Sequence, residues 1–226
     1  MNVLVLNGSP KAKSDTMMLT RSFLEGLTSA ESCDVREIDV IKKEIKPCLG
    51  CFECWKKGDG KCVQNDDQNE ILQAYVQADV IIWSFPLYCY SMPSHLKAVL
   101  DRTIPLTKMA MAESNGRVYH ELLVDFSKKR TVVICGCGFP DWEGNFDGLK
   151  LQCRNSFGNL TMVCVPETPL MNIPEAMPLA KPLMEKFRCA GMEYASAKKL
   201  SPETVSALET PMLPKQAYLS GVNSQA

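Results

Sequence analysis

The chain has 226 residues, of which 46% are hydrophobic, and it carries 25 Lys and Arg against 26 Asp and Glu. This length and apolar share predict one globular domain with a substantial core. The net charge of −1 gives no electrostatic attraction to nucleic acid or to an anionic membrane. No apolar run approaches the roughly 20 residues of a membrane span, and the N-terminus enters a predicted strand without a signal-peptide pattern. We therefore expect a cytoplasmic single domain, with a core over about 1–191 and a helical tail over about 192–226.

Apolar runs and alternating patterns predict five strands, over residues 3–6, 33–40, 79–85, 130–135 and 160–165. Helical spacing of apolar residues predicts helices over 16–30, 69–77, 146–157 and 176–194, one more after the third strand, and two in the tail. Residues 106–129 are less regular and are predicted to be an insertion with a short helix. The alternation of strands and helices predicts an α/β fold with a doubly wound, five-stranded parallel sheet in the order 2-1-3-4-5. Ligands bind such a sheet outside the carboxyl ends of strands 1, 3 and 4.

The loop after the first strand has the features of an anion site. The turn-formers of 7–10 end the strand, and Ser14 with Asp15 occupies the expected N-cap of the next helix. Free N–H groups and the helix dipole therefore point at a loop whose side-chain donors are Ser9, Ser14 and Thr16. The loop matches neither the triphosphate P-loop nor the dinucleotide fingerprint, and this favours a terminal phosphate monoester. An ordinary capped strand–turn–helix explains the stretch alone equally well.

Two further loops follow the third and fourth strands. The first is Pro86-Leu87-Tyr88-Cys89-Tyr90-Ser91, which offers tyrosines and open backbone groups to a flat ring. The second is Gly136-Cys137-Gly138, whose glycines allow a close backbone approach to a planar ligand. Ordinary packing explains either tyrosine taken singly. Three compatible loops at neighbouring carboxyl ends together predict a flavin mononucleotide (FMN) site.

These motifs resemble the NADPH-dependent FMN reductase family of the flavodoxin-like superfamily over roughly residues 1–190. The matching pieces are 6–10 with 14–16, and then 86–88, 92–93, 96–97 and 100–102, the last of which is Leu100-Asp101-Arg102. The resemblance implies that Ser9, Lys11, Ser14 and Thr16 bind phosphate and that the two later loops surround the ring. The family usually has Arg where this chain has Lys11 and Asn where it has Asp15. A carboxylate at Asp15 would have to turn away from a phosphate or serve mainly as the helix cap.

The 11 cysteines are numerous for a chain of this length, and four of them are clustered. Cys48, Cys51, Cys54 and Cys62 form the pattern C-x2-C-x2-C-x7-C, which we call the cysteine box. This spacing is closer to ferredoxin-type runs than to zinc sites built from two separated pairs. Within the family, the box resembles that of the iron–sulfur flavoproteins, which implies a four-iron cluster near FMN. Free thiols in a packed loop are an equally good explanation, with zinc or a disulfide less favoured.

The predicted function is an FMN-dependent oxidoreductase, in which the chemistry occurs at the flavin N5 and no side chain is assigned as catalytic. The donor is NAD(P)H or an electron-transfer partner, and the acceptor is a quinone, a flavin or a redox protein. The alternatives are an iron–sulfur flavoprotein or flavodoxin-like electron carrier without its own substrate, and a zinc- or thiol-based structural protein. His95 and His120 are assigned no role. The resemblance also implies a homodimer or homotetramer, with residues 106–129 and the tail as contact segments. The charge balance gives no reason to expect nucleic acid or a membrane as a partner.

Overall fold

The computed structural model describes residues 1–224, so that residues 225–226 of the predicted tail lie outside the described part. The chain forms seven strands, which are β1 (Asn2–Asn7), β2 (Asp34–Asp39), β3 (Val80–Pro86), β4 (Thr107–Ser114), β5 (Arg117–Leu122), β6 (Arg130–Gly136) and β7 (Leu160–Val165). Five of them form one sheet in the order β2-β1-β3-β6-β7, and every pairing in it is parallel. The five predicted parallel strands correspond to β1, β2, β3, β6 and β7, and their predicted order is confirmed.

The helices are α1 (Asp15–Ala30), α2 (Glu53–Lys57), α3 (Gln68–Gln77), α4 (Ser94–Asp101), α5 (Asp147–Ser156), α6 (Met177–Ala197), α7 (Pro202–Leu208) and α8 (Lys215–Asn223). Short 3-10 turns occupy residues 40–42, 104–106, 168–172 and 174–176. Helix α6 continues without a break past residue 191, where the sequence suggested that the tail begins. None of the described helices is both long and apolar enough to cross a membrane.

The sheet buries side chains on both faces because successive residues of a strand point to opposite sides. In β1, Val3 and Val5 pack with residues of α1 and α6, whereas Leu4 and Leu6 pack with residues of α3, α4 and α5. Residues 3–7 of β1 are all buried, which is the pattern expected of a central parallel strand. This double core fixes the sheet, and the carboxyl ends of its strands provide a rigid platform for the loops.

Two helical glycines, Gly26 in α1 and Gly191 in α6, are required by the packing of these helices. Helix α1 crosses α6 so closely that a Cβ on Gly26 would lie 1.8 Å from the Arg188 carbonyl oxygen. A Cβ on Gly191 would lie 2.0 Å from the carbonyl oxygen of Phe23. Both contacts are with backbone, which cannot rotate away, and so glycine at both positions allows α6 to lie directly on α1.

The prediction of a short helix within residues 106–129 is wrong. This segment forms an antiparallel hairpin, β4–β5, in which Met111 pairs with His120. Its turn is Asn115-Gly116, and both residues have positive φ values, 52° and 72°. An Asn-Gly pair between two extended runs is a strong hairpin indicator, because it adopts the left-handed conformations that a tight turn requires. The Asn115-Gly116 pair was therefore a sequence indicator of a hairpin, and it is more informative than the irregular pattern of residues 106–129.

Candidate flavin site and cysteine box

The loops after β1, β3 and β6 lie side by side at one edge of the sheet. Asn7 is in register with Ser84, and Pro86 is in register with Gly136. Backbone hydrogen bonds continue beyond the strands, since Gly8 N donates to Ser84 O at 2.8 Å and Leu87 N donates to Gly136 O at 2.7 Å. The structure therefore brings together the three loops that the sequence selected.

The hydroxyl groups of the first loop surround the start of α1. Ser9, Ser14 and Thr16 are all buried. Ser14 is the N-cap, and its Oγ accepts a hydrogen bond from Met17 N at 3.1 Å. The Ser14 Oγ also lies 3.0 Å from Thr16 Oγ1. A helix of 16 residues thus begins behind a small group of hydroxyl donors, and its positive dipole end favours an anion at this position.

Asp15 does not cap the helix, because Ser14 does. Its carboxylate is held on one side by Lys11, whose Nζ lies 3.2 Å from Oδ2. On the other side, Asn172 Nδ2 donates to Asp15 Oδ1. The carboxylate is therefore occupied by a cation and an amide. Lys11 in turn is 54% exposed at its side chain and already paired, so that any contact with a phosphate must compete with Asp15.

His95, to which the sequence assigned no role, supports the first loop. It is half-buried in the first turn of α4, and its Nε2 lies 2.9 Å from the Gly8 carbonyl oxygen. Since a carbonyl can only accept, Nε2 carries the proton in this contact. A histidine two positions after Met92-Pro93, in a helix that starts at the same end of the sheet, was the available indicator.

The second loop contains a tight two-residue turn. Tyr88 and Ser91 exchange backbone hydrogen bonds of 3.0 Å in both directions, and the residues between them, Cys89 and Tyr90, have φ values of 46° and 62°. Two consecutive non-glycine residues in the left-handed region are uncommon and cost free energy. Tyr88 is 45% exposed and Tyr90 is 57% exposed, so neither tyrosine belongs to the core.

The rings of the second and third loops face each other across the site. Tyr90 stacks on Phe139 with ring centroids 6.5 Å apart and an interplanar angle of 5°. Ser91 Oγ donates to Gln152 Oε1 at 3.0 Å, and this bond ties the end of the loop to α5. The strained turn therefore holds the Tyr90 ring outside the core, beside the exposed ring of Phe139.

Of the two glycines in the third loop, Gly136 is required by the packing of the protein itself. A Cβ on Gly136 would lie 2.5 Å from Thr168 Cγ2 and 2.9 Å from Thr16 Cγ2. Cys137 is buried, and burial raises the pKa of its thiol. Gly138 is exposed, and its carbonyl oxygen accepts a hydrogen bond of 2.7 Å from the Tyr218 hydroxyl. Helix α8, which the sequence did not connect with the site, thus fixes this loop.

The four thiols of the cysteine box line one cavity of about 20 Å³. Cys48 and Cys51 are exposed, Cys54 is buried in α2, and Cys62 is half-buried. None of the four forms a disulfide, and burial raises the pKa of the Cys54 thiol. Within the described residues, no group of three or more His, Cys, Asp and Glu side chains is arranged to hold a metal ion.

The chemistry of the box nevertheless fits an iron–sulfur cluster. Four thiols in one short segment are the usual donor set for such a cluster. The buried side chain of Arg102 lines the same cavity, and its Nε has no hydrogen-bond partner. Residues 48–52 at the outer side of the cavity are exposed, so the box lies at the surface. The residue types and their number are those of a thiolate-bound iron–sulfur cluster, and the Arg102 Nε is a buried donor without a partner beside them.

A family model for proteins of flavodoxin-like fold matches residues 1–167. The chain belongs to this family. The superfamily predicted from the three loops is therefore confirmed. The match includes all three loops and the cysteine box, and it ends in the loop that follows β7.

Among curated proteins, the chain is 37% identical over 106 residues to an iron–sulfur flavoprotein of Methanocaldococcus jannaschii, covering 47% of this chain and 53% of that protein. It is 31% identical over 127 residues to an FMN-dependent NADH:quinone oxidoreductase of Pseudoalteromonas atlantica, covering 53% of this chain and 62% of that protein. The chain thus spans about half the length of the curated relatives it matches.

Among solved structures, an FMN-dependent NADH-azoreductase of Bacillus anthracis in complex with FMN superimposes with a TM-score of 0.62. The sequence identity is 18%, and the superposition covers 86% of this chain and 99% of that one. At this level of identity the similarity establishes the fold, which is consistent with the strand order described above.

Proposed function

We propose that the chain is a single doubly wound domain that binds FMN and oxidises NAD(P)H. The electrons pass to a quinone, a flavin or a redox protein. The observation that supports this most is the meeting of three loops at the carboxyl ends of β1, β3 and β6. The first loop carries buried hydroxyls at a helix N-terminus, and exposed aromatic side chains follow the other two strands, Tyr88 and Tyr90 after β3 and Phe139 after β6. This combination suits a phosphate attached to a flat ring.

In this proposal, Ser9, Ser14 and Thr16 bind the phosphate with the N-terminal N–H groups of α1. The Lys11–Asp15 pair stands at the margin, where Lys11 adds positive charge without contributing a fixed contact. When bound, FMN supplies the hydride-accepting N5, and it requires no acid–base side chain from the protein. The loops 86–91 and 136–138 position the ring.

The names of the curated relatives support this chemistry. One is called an FMN-dependent NADH:quinone oxidoreductase and another an iron–sulfur flavoprotein, and both align with about half of this chain. The geometry supports a flavin site, and the first of these names supports NADH as the electron donor.

The direct test is an FMN titration followed by turnover. The purified chain should quench the fluorescence of added FMN with saturation at one flavin per chain. The loaded protein should then oxidise NADH or NADPH steadily when a soluble quinone is present. Failure to bind FMN at millimolar concentration would refute the proposal, whereas binding without turnover would refute only the reductase.

A second candidate is an electron carrier of the iron–sulfur flavoprotein type, and the cavity lined by four free thiols favours it. In that case the box would exchange single electrons with the flavin. Anaerobic purification with a visible spectrum and assays of iron and sulfide distinguishes the candidates. Flavin bands without iron support the simple reductase, while iron and sulfide in cluster stoichiometry without quinone turnover support the carrier.

We also propose that the protein pairs as a homodimer or homotetramer, with the β4–β5 hairpin and the C-terminal tail as contact segments. The hairpin exposes Met109 by 73%, Met111 by 65% and Val118 by 66%. Apolar side chains so exposed on one projecting element are typical of an association surface. Sedimentation equilibrium of the FMN-saturated protein tests this, and a monomer at micromolar concentration would contradict it.

A further inference from the structure

Arg102 is a buried charge without an assigned role. It follows the last residue of α4 and belongs to the motif Leu100-Asp101-Arg102. Its side chain is 1% exposed and pairs with Asp66, whose side chain is 0% exposed. A buried ion pair of this kind usually adds little net stability, because removing both charges from water offsets their attraction. The Arg102–Asp66 pair is therefore better explained by a role in positioning the residues around it than by a contribution to overall stability.

The guanidinium group joins the two ends of the cysteine box. Its Nη2 donates to Asp66 Oδ1 at 2.9 Å, and its Nη1 donates to Asp66 Oδ2 and, at 3.0 Å, to the Lys46 carbonyl oxygen. Asp66 Oδ2 also accepts from Lys46 N at 3.0 Å. Lys46 precedes the first cysteine of the box, and Asp66 follows the last one. One side chain from α4 thus closes the loop that carries all four thiols.

Other bonds fasten the same two ends. Asp67 N donates to Glu44 O at 3.0 Å, and Glu44 N donates to Asp67 Oδ2 at 2.8 Å. Gln64 Nε2 donates to Pro47 O at 3.1 Å. The base of the box is therefore rigid, while residues 48–52 at its outer part are exposed. This arrangement fixes the cysteines relative to α4 without a long helix or strand of their own.

The Nε–H group of Arg102 has no hydrogen-bond partner among the described residues. Arg102 Nε is buried, whereas Nη1 and Nη2 donate three hydrogen bonds to Asp66 and Lys46. Arg102 lines the cavity together with all four cysteines. An unpartnered buried N–H of a charged group is costly, and it indicates a missing acceptor. In a cavity lined by thiols, that acceptor is sulfur.

We propose that Arg102 is a positioning residue for a cluster bound by Cys48, Cys51, Cys54 and Cys62, and that its free Nε–H donates to a sulfur atom of that site. The inference rests on the second candidate function given above. Hydrogen bonds and positive charge at the sulfur atoms favour the reduced, more negative form of a cluster. Arg102 therefore raises the reduction potential of the site.

The test compares the wild-type holoprotein with Arg102→Lys after anaerobic reconstitution with ferrous iron and sulfide. Lysine retains the positive charge and loses the guanidinium fork and its Nε–H. The matched control is Arg21→Lys, the same chemical change in an exposed pair with Glu37, where Arg21 is 61% exposed. The readouts are FMN affinity, bound iron and sulfide, and the midpoint potential of the cluster by dye-coupled titration with electron paramagnetic resonance.

In Arg102→Lys we expect unchanged FMN affinity and a reduction equilibrium shifted at least tenfold towards the oxidised cluster, which is about 59 mV for one electron. Arg21→Lys should retain the wild-type potential. An unchanged potential in a fully loaded Arg102→Lys protein would overturn the proposal. Wild-type protein that binds FMN but takes up no iron and sulfide would also overturn it and would leave the flavin site standing, whereas absence of FMN binding would count against the proposed function itself.

If Arg102→Lys does not fold, two further measurements keep the test decisive. The double variant Arg102→Met/Asp66→Asn removes both buried charges, and it should bind FMN normally while holding less iron and sulfide than the wild type. Pulsed resonance of the wild-type protein labelled with 15N-arginine should show a nitrogen coupled to the reduced cluster. Normal cluster content and potential in the double variant, or no such coupling in the wild type, would overturn the proposal.

Discussion

The flavin-site loops and the cysteine box are positioned by different means. The loops extend directly from buried parallel strands, and backbone hydrogen bonds such as Gly8 N to Ser84 O continue the sheet into them. The box contains a single short helix, α2, and depends on side chains at its two ends. Because the carboxyl ends of the strands are fixed by many cooperative contacts, a single substitution should change the backbone positions of the first site little. The second site is held by a few side-chain bonds at the ends of one loop, among them the buried Arg102–Asp66 pair, and the loss of that pair should disturb it more.

The largest effect that this comparison predicts is that of Arg102→Met. The change leaves the Asp66 carboxylate, which is 0% exposed, without its cation. Breaking a buried pair in this way destabilises a protein by about 4 kcal/mol. We expect a marked loss of stability in urea denaturation, with Asp66→Asn added to the same chain recovering much of it. A loss below 1 kcal/mol in the single variant would show that the box does not depend on this pair.

The scaffold of the flavin loops can be tested at Gly191, where α6 crosses α1. An alanine Cβ at this position would lie 2.0 Å from the Phe23 carbonyl oxygen, so the helices must move apart. We expect Gly191→Ala to lower the free energy of unfolding by about 3 kcal/mol.

The matched control for this change is Gly221→Ala in α8, where nothing lies within 4 Å of the added Cβ. There, alanine should be neutral or stabilising by about 0.5–1 kcal/mol. Equal effects of the two substitutions would contradict the close helix crossing.

Two N-cap serines separate the binding role of the first loop from its structural role. Ser14 Oγ accepts from Met17 N at 3.1 Å, and Ser201 Oγ accepts from Thr204 N at 3.2 Å. Alanine at either position should cost about 1 kcal/mol of stability. Only Ser14→Ala should also weaken FMN binding, by about tenfold, or about 1.4 kcal/mol. Similar FMN affinities in the two variants would mean that the phosphate lies elsewhere.

The smallest expected effect is on the pH dependence of the free energy of unfolding. It comes from Glu167, which follows β7 beside the third loop. The side chain is buried, and its Oε2 accepts hydrogen bonds from Met212 N at 2.6 Å and Leu213 N at 2.9 Å. Burial raises the pKa of this carboxyl above its ordinary value of 4.5. The folded chain therefore binds the proton more tightly than the unfolded chain does. Stability from this group is fully present below about pH 4.5 and is lost as pH rises through the folded pKa.

Glu167→Gln should abolish this part of the pH dependence while retaining an oxygen that accepts from the tail. Urea denaturation at several pH values between about 4.5 and 8 measures it. Glu185→Gln is the control, because Glu185 lies on the surface and hydrogen bonding to Arg188 lowers the pKa of its carboxyl. A parallel pH profile for wild type and Glu167→Gln would contradict a carboxyl whose pKa is raised by burial at this position.

The sequence was sufficient to predict the sheet and the three loops. Continuous apolar runs identify buried parallel strands, and the alternation with helices identifies the topology, because both depend on local spacing. The residue types before the first helix also predicted Ser14 at its N-cap. The predicted short helix within residues 106–129 was wrong, because the Asn115-Gly116 turn forms a hairpin there.

Only the tertiary structure showed which distant residues support the sites. His95 reaches Gly8 across 87 positions of the chain, and Tyr218 reaches Gly138 across 80. Arg102 closes the cysteine box from a separate helix. Such contacts produce no periodic pattern in the sequence, because only the fold brings together residues that lie far apart in the chain. The sequence therefore determined the sheet and its three loops, and the packing of helices and tail against them decided what holds each site in place.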